Sequence, residues 1–369
     1  MIINRNLAAS INDFIEKPHE NNVLLLGGAR QVGKSTLVKE VLKNKPNVFI
    51  NLFEDPSLSE KIDVLQSFVE FEKLLLREMN FRPTGDVVLV FDEAQESKKF
   101  GHWIRFFKEK WPHQKVVVLG SILSNLFEDG QPYPVGRVEE MILRPFSFKE
   151  FLLATNRQAL REILESVSWE VPLSENDREA CIKPYLEYLQ VGGMPTVVNQ
   201  FRDLTTPPYT TWNQLLGQYA ADVERYLDDN FRSLFLSAID RLADVTCTPS
   251  KISQIVSTDS PFYRRLPKLL EVLEKWHLAA KTTAQTKQPE AAAGIASKRY
   301  LFDVGLVNFL LNQSQPVKWQ KRSDAGNTFY GKLQETFVCA EYLATHPTPP
   351  VTFNYYRDSR NSQEVDFIF

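Results

Sequence analysis

Gly28-Ala29-Arg30-Gln31-Val32-Gly33-Lys34-Ser35 is the segment of this chain with the narrowest physical interpretation. It fits the pattern Gly-x-x-x-x-Gly-Lys-Ser/Thr, and it stands between an apolar run at Val23–Leu26 and a helical pattern opening at Ser35. Glycines let the backbone turn so tightly that successive N–H groups face one anion, and the positive end of the following helix adds to the same field. The expected ligand is the phosphate tail of ATP, cradled by Gly28 through Ser35 with Thr36 beside them. Lys34 is expected to reach the β and γ phosphates and Ser35 to ligate Mg²⁺.

A bound metal needs a second hard oxygen. Val87-Val-Leu-Val-Phe91-Asp92-Glu93 supplies one at the tip of an apolar strand, with Asp92 as the metal ligand and Glu93 as the general base that orients or deprotonates water. The strand at Val48–Leu52 lies between the two motifs in sequence and is expected to lie between their strands in space, the arrangement of the ATPase branch. Ser121 follows the apolar run Val116–Leu119 and reads either as a γ-phosphate sensor or as a turn serine that ends a strand. Arg137 reads either as a stabiliser of transition-state charge, in cis or in a neighbouring subunit, or as one half of a surface salt bridge.

Outward from these motifs, short apolar runs alternate with helical patterns, which predicts βα units and a parallel sheet with helices on both faces, an α/β P-loop NTPase fold. The predicted strands are Val23–Leu26, Val48–Leu52, Val87–Phe91, Val116–Leu119 and Val138–Leu143. Predicted helices open at Ser35, span Ser57–Met79 and cover Trp103–Lys110. Pro145 starts a different texture, so the boundary is placed at 150. Residues 151–245 read as helices broken at Gly192, Gly193 and Pro195 and at Pro207 and Pro208. Residues 246–310 read as a winged-helix-like order: two short helices interrupted near Ser260 and Pro261, then extended segments at Ala279–Thr286 and Arg299–Phe302 around a small-residue loop at Ala291–Gly294. Residues 311–369 pair a helix with strands at Val351–Tyr356 and Glu364–Phe369.

Composition bounds the rest. At 369 residues, 43% hydrophobic, 24% charged and 12% aromatic, the chain is long enough for two or three folded domains. A net charge of −3 confines any nucleic-acid contact to a local patch. The three cysteines, Cys181, Cys247 and Cys339, fall in no metal-ligand spacing and fit free thiols in a reducing compartment. Met1–Ile15 lacks a secretory apolar core and no membrane-spanning run follows, so the expected location is the cytoplasm with no membrane partner.

Together with Arg144-Pro-Phe-Ser-Phe-Lys-Glu-Phe151, these motifs resemble a prokaryotic family of AAA-type ATPases with an accessory C-terminal region. Gln190-Val-Gly-Gly-Met-Pro195, Phe302-Asp-Val-Gly-Leu306, Gly331-Lys-Leu-Gln-Glu335 and Glu364-Val-Asp366-Phe resemble that region in the same order. The resemblance implies a winged-helix part and a terminal fold similar to PD-(D/E)xK nucleases, with Glu335 and Asp366 at the acid positions. The sequence ends at Phe369, before the Glu-x-Lys strand of such a site. Read from the residues alone, Glu335 is a helix-surface acid, and Glu364 and Asp366 share one strand face. In the winged-helix part, Lys251, Arg264, Arg265 and Lys268 are candidates to face DNA phosphates, the last three on one helix whose Leu266, Leu269, Leu270 and Leu273 pack inward. Three functions are thus open: a Mg²⁺-dependent ATPase coupled to a C-terminal region that binds DNA, a protein or a second copy; a nucleotide-gated switch with little turnover; or the remnant of an ATP-dependent nuclease.

Overall fold

The structure, a computed structural model, describes residues 5–18, 20–127, 133–168, 170–204, 209–286, 295–311, 324–357 and 363–368. The chain divides into two compact units: Met1–Leu143 with Pro347–Pro349, and Arg144–His346 with Pro350–Phe369. The division falls at Leu143, ahead of the boundary expected at 150, and the three segments expected after it make one unit.

In the first unit, α1 (Leu7–Glu16) precedes β1 (Val23–Gly27), α2 (Lys34–Val41), β2 (Asn47–Asn51), α3 (Pro56–Val64), α4 (Phe68–Met79), β3 (Val88–Asp92), α5 (Phe100–Lys110), β4 (Val116–Leu119) and β5 (Glu139–Ile142). The strands form one parallel sheet in the order β2-β3-β4-β1-β5. Every residue of β1, β3 and β4 is buried, which is why these runs are continuously apolar rather than alternating. An ATPase-branch sheet is present, but the strand between the P-loop strand β1 and the Asp92 strand β3 is β4, not the Val48–Leu52 strand, which is the outer edge as β2. Nothing local encodes that order. β2 is only partly buried, as befits an edge.

The expected single helix at Ser57–Met79 is two. Asp55 caps α3 by accepting from the Leu58 N–H, and Ser67 caps α4 by accepting from the Glu70 N–H while Glu70 accepts from the Gln66 N–H. The second cap restarts the helix along a new axis. One face of the sheet is packed by α4 and α5. Phe71, Phe100 and Phe107 pack against Phe91, the residue before Asp92, with ring centroids of Phe91 and Phe100 4.6 Å apart, and Phe68, Trp103 and Trp111 extend the same cluster behind them. This aromatic layer fixes the end of β3, and so the acid that follows, in depth and direction.

The second unit runs through α6 (Phe148–Ala154), α7 (Gln158–Glu165), α8 (Glu175–Val191), α9 (Pro195–Leu204), α10 (Tyr209–Tyr226), α11 (Asp229–Val245), α12 (Ile252–Ile255) and α13 (Leu266–Lys275). Then come β6 (Ala279–Gln285), β7 (Lys298–Leu301), α14 (Val304–Leu311), α15 (Asp324–Thr345), β8 (Asn354–Arg357) and β9 (Glu364–Ile368). The break at Gly192, Gly193 and Pro195 separates α8 from α9 as expected; Pro207, Pro208, the Ala291–Gly294 loop and Phe369 lie outside the described residues. β6 pairs antiparallel with β7 and, on its other edge, parallel with β8, which pairs antiparallel with β9. All three cysteines are buried and free. Among the described residues no helix is long and apolar enough to cross a membrane.

Candidate nucleotide site

Parallel pairing places the carboxyl ends of the strands of the first unit along one edge: Gly27 opposite Ile142, Leu26 opposite Leu119, Phe91 opposite Val118. Ligands of open α/β sheets bind outside that edge. The P-loop grows directly from it. Gly28 has φ +137°, and a Cβ there would lie 2.2 Å from the Leu143 carbonyl oxygen, so only glycine fits. Gly33 (φ +95°) and Gln31 (φ 65°) also adopt left-handed conformations, and no side chain caps the amino end of α2. Its N–H groups therefore remain available to an anion. Ala29 and Val32 are buried and anchor the loop, Arg30 is half-buried, and Thr36 is exposed on the first turn of α2. The Arg5 guanidinium donates to the Val32 carbonyl at 3.0 Å and braces the loop from below.

Lys34 folds back over this loop. Its Nζ donates to the carbonyls of Gly28 at 2.9 Å and Ala29 at 3.1 Å, and the side chain is buried. Burial pushes its pKa down to about 8, opposed by the carboxylates of Glu93 and Asp92.

Asp92 is buried at the tip of β3 and accepts hydrogen bonds from the Ser35 hydroxyl and, at 3.0 Å, from the Glu93 N–H. Burial raises its pKa, and those two donors restrain the rise. The two expected Mg²⁺ ligands are thus already in contact. A hydroxyl and a carboxylate oxygen are the hard donors Mg²⁺ takes when phosphates and water complete its shell. Among the described residues no three His, Cys, Asp or Glu side chains are grouped to hold a metal without such help.

Glu93 has φ 50°, a left-handed conformation uncommon outside glycine and characteristic of functional sites. Its Oε2 accepts from Gln95 Nε2 at 2.5 Å. Ser121 is buried just past β4, the strand between β1 and β3, and so is carried to the same edge. Arg137 stands in a half-exposed ion pair with Glu109 of α5 at 3.0 Å, the surface arrangement named above as its alternative. Gln95, Gly120 and Leu143 shape this edge and were not read from the sequence.

Residues 20–152 match the family model described as an AAA domain. That stretch has the α/β P-loop NTPase fold and is similar to AAA domains. Further along the chain, residues 182–317 match a domain of unknown function, DUF8612. No curated protein matches the chain. Among solved structures, the chain is similar to the Walker-type ATPase PABY2304 of Pyrococcus abyssi, with 16% identity over 84% of this chain and 96% of that one and a TM-score of 0.49. It is also similar to the Signal Transduction ATPase with Numerous Domains (STAND) protein PH0952 from Pyrococcus horikoshii, which carries a tetratricopeptide repeat sensor, with 13% identity over 93% and 47% of the two chains and a TM-score of 0.34. A third is Cdc6p from Pyrobaculum aerophilum, with 15% identity over 83% and 91% and a TM-score of 0.28.

Outside the P-loop domain, the second unit brings Glu335, Glu364 and Asp366 together around a lysine. Lys298 of β7, with no exposed surface, places its Nζ 3.0 Å from Glu335, 2.6 Å from Glu364 and 2.8 Å from Asp366, and the Tyr300 hydroxyl donates to Glu335 at 2.6 Å. Glu335 is therefore not a plain surface acid. Burial disfavours the ammonium, but the three carboxylates outweigh it and raise the lysine's pKa.

The basic residues of the second unit do not share one helix face. α13 begins at Leu266, so Arg264 and Arg265 precede it; Arg265 lies 3.9 Å from Asp228 and its guanidinium is over the Phe231 ring. Arg264, Lys268 and Lys251 are exposed, and the expected inward packing of Leu266, Leu269, Leu270 and Leu273 holds.

Proposed function

We propose that this chain is a Mg²⁺-dependent ATPase, with Lys34 and the loop Gly28–Ser35 binding the phosphates, Ser35 and Asp92 holding the metal, and Glu93 acting as general base. The observation that carries this reading is the Ser35–Asp92 hydrogen bond at the foot of a loop whose lysine lies across its own carbonyls. Lys34 would exchange those carbonyls for phosphate oxygens, a stronger charge-assisted pairing. Bound Mg²⁺ would neutralise developing phosphate charge. Glu93, held out from β3 by its left-handed backbone, takes the proton of the attacking water, while Ser121 supplies a hydroxyl at the neighbouring strand end. Arg137, released from Glu109, remains the candidate for the charge of the transition state in cis or across a subunit contact.

Turnover is proposed to move the second unit through the chain segment that leaves β5. The Leu143 carbonyl abuts Gly28 within the P-loop. Three residues on, within the second unit, the Phe146 N–H donates to the Gly193 carbonyl at 2.7 Å and the Phe146 carbonyl accepts from the Tyr188 hydroxyl at 2.6 Å. A shift of the P-loop backbone thus has a short covalent route into a firmly bonded segment. The order α11, α12, α13, β6, β7 supports a winged-helix-like element as the part that meets DNA or a protein. Its hairpin, however, is one edge of a larger sheet.

Steady-state phosphate release with Mg²⁺ and ATP tests the reading. Glu93→Gln should retain ATP binding and lose roughly a hundredfold or more in kcat. Lys34→Ala should weaken ATP binding by about ten- to a hundredfold, the worth of a charge-assisted hydrogen bond. Stimulation by duplex DNA would place DNA on the second unit. Tight binding without release in the unmodified protein would instead make it a nucleotide-gated switch, and normal turnover by Glu93→Gln would remove Glu93 as the base.

A further inference from the structure

We propose that Gln95 is the positioning residue for Glu93: its carboxamide fixes one carboxylate oxygen and leaves the other to face water. This rests on the assignment of Glu93 as the general base.

The geometry is built from three directions. Gln95 sits in a 3₁₀ turn, Ala94–Glu96, whose Glu96 N–H returns to the Glu93 carbonyl at 3.0 Å. That turn is itself anchored, because the Asp63 carboxylate accepts from the Ser97 hydroxyl at 2.7 Å and the Lys99 N–H at 3.0 Å. From this base the amide Nε2 reaches Glu93 Oε2 at 2.5 Å. The opposite amide orientation would set two oxygens against each other, so the donor end faces the carboxylate.

The other end of the amide lies against the end of β4. A Cβ on Gly120 would stand 2.4 Å from Gln95 Oε1, so the residue before Ser121 must be glycine for the amide to occupy its place. Oε1 is buried and accepts no hydrogen bond from the protein among the described residues. The amide's polar anchorage is therefore its bond to Glu93, which a side chain kept for packing alone would not need. One carboxamide spans the ends of β3 and β4 and aims the carboxylate held at φ 50° on the first of them. Misplacing a general base by about an ångström costs on the order of a hundredfold in rate.

The test compares kcat, KM for ATP and melting temperature in the full chain for Gln95→Ala, Gln95→Glu and Gly120→Ala, each alone and with Glu93→Gln. Gln95→Ala should lose roughly ten- to a hundredfold in kcat with KM and melting temperature nearly unchanged. Gln95→Glu keeps the size, sets a like charge against Glu93 and should lose as much. Gly120→Ala displaces the amide, and with it the Leu123 side chain, which the new Cβ would meet at 2.6 Å, and should reproduce the loss of kcat. Neither Gln95 variant should slow the residual rate of Glu93→Gln further. Full kcat in Gln95→Ala, a parallel change in KM and stability, or an undiminished effect in the Glu93→Gln background would each overturn the proposal. Wild-type turnover by Glu93→Gln would overturn the base assignment beneath it, an outcome distinct from any failure of Gln95.

Discussion

Lys34 is where burial and charge conflict most directly. Its amine, ordinarily near 10.5, is held down to about 8 by burial, with the nearby carboxylates of Glu93 and Asp92 opposing and Arg30 reinforcing the depression. In the unfolded chain the same amine stays protonated to higher pH, so between about 8 and 10.5 the unfolded state binds the extra proton. The contribution of Lys34 to stability therefore rises with pH through that window. Phosphate oxygens beside the amine would restore its charge. Calorimetric titration of ATP at pH 8 in two buffers of unlike ionisation enthalpy should show uptake of about half a proton, absent in Lys34→Ala. The lysine itself was legible from eight contiguous residues because a P-loop is local. Gln95 was not. Its meaning depends on Gly120, which is near it only after β3 and β4 pair.

At the scale of elements, the same distinction explains which predictions held. The strands at Val23–Leu26 and Val116–Leu119 were readable because runs buried on both faces have no polar alternation to obscure them. The order in which they lie was not, since pairing is decided by crossovers and packing beyond any one run. The Ser67 and Glu70 cap that splits Ser57–Met79 was present in the sequence as Ser-x-x-Glu, but the apolar periodicity ran through it. In the second unit, acids on α15 and β9 were expected, whereas the lysine that joins them comes from β7, far away in sequence. That lysine ties three elements through one ammonium. Lys298→Met should destabilise the second unit by on the order of 3 kcal/mol, because three carboxylates lose their common partner. Urea melts of the two proteins should show the deficit as a lower midpoint.

For the molecule as a whole, stability should lean on buried acids of the second unit. Glu341 of α15 accepts from the Phe148 N–H at 2.6 Å, and burial followed by Glu150 pushes its pKa up to about 7 from an ordinary 4.5, against the pull of that N–H and of Lys149. Asp303 accepts the N–H groups of Gly193 and Gly305, each at 2.8 Å, and burial raises it to about 6 from an ordinary 3.8, with those donors opposing. For an acid raised in the folded state, the fold holds the extra proton. The stability these groups contribute is complete below their unfolded values and is lost as pH rises through about 6 and 7. Glu341→Gln keeps the acceptor without the charge and should narrow the difference in melting temperature between pH 5 and pH 8, as scanning calorimetry would show.

The edge strand β5 is finished by a residue from the far end of the chain: the Ile142 N–H donates at 2.8 Å to the carbonyl of Pro347, the first of three late residues, Pro347–Pro349, that belong to the first unit. Ribosomal synthesis delivers the chain from its amino end, so the nucleotide domain emerges with one rim incomplete and waits through the making of nearly the entire second unit before Pro347 arrives. Its maturation is thereby timed to the completion of the region it is proposed to drive.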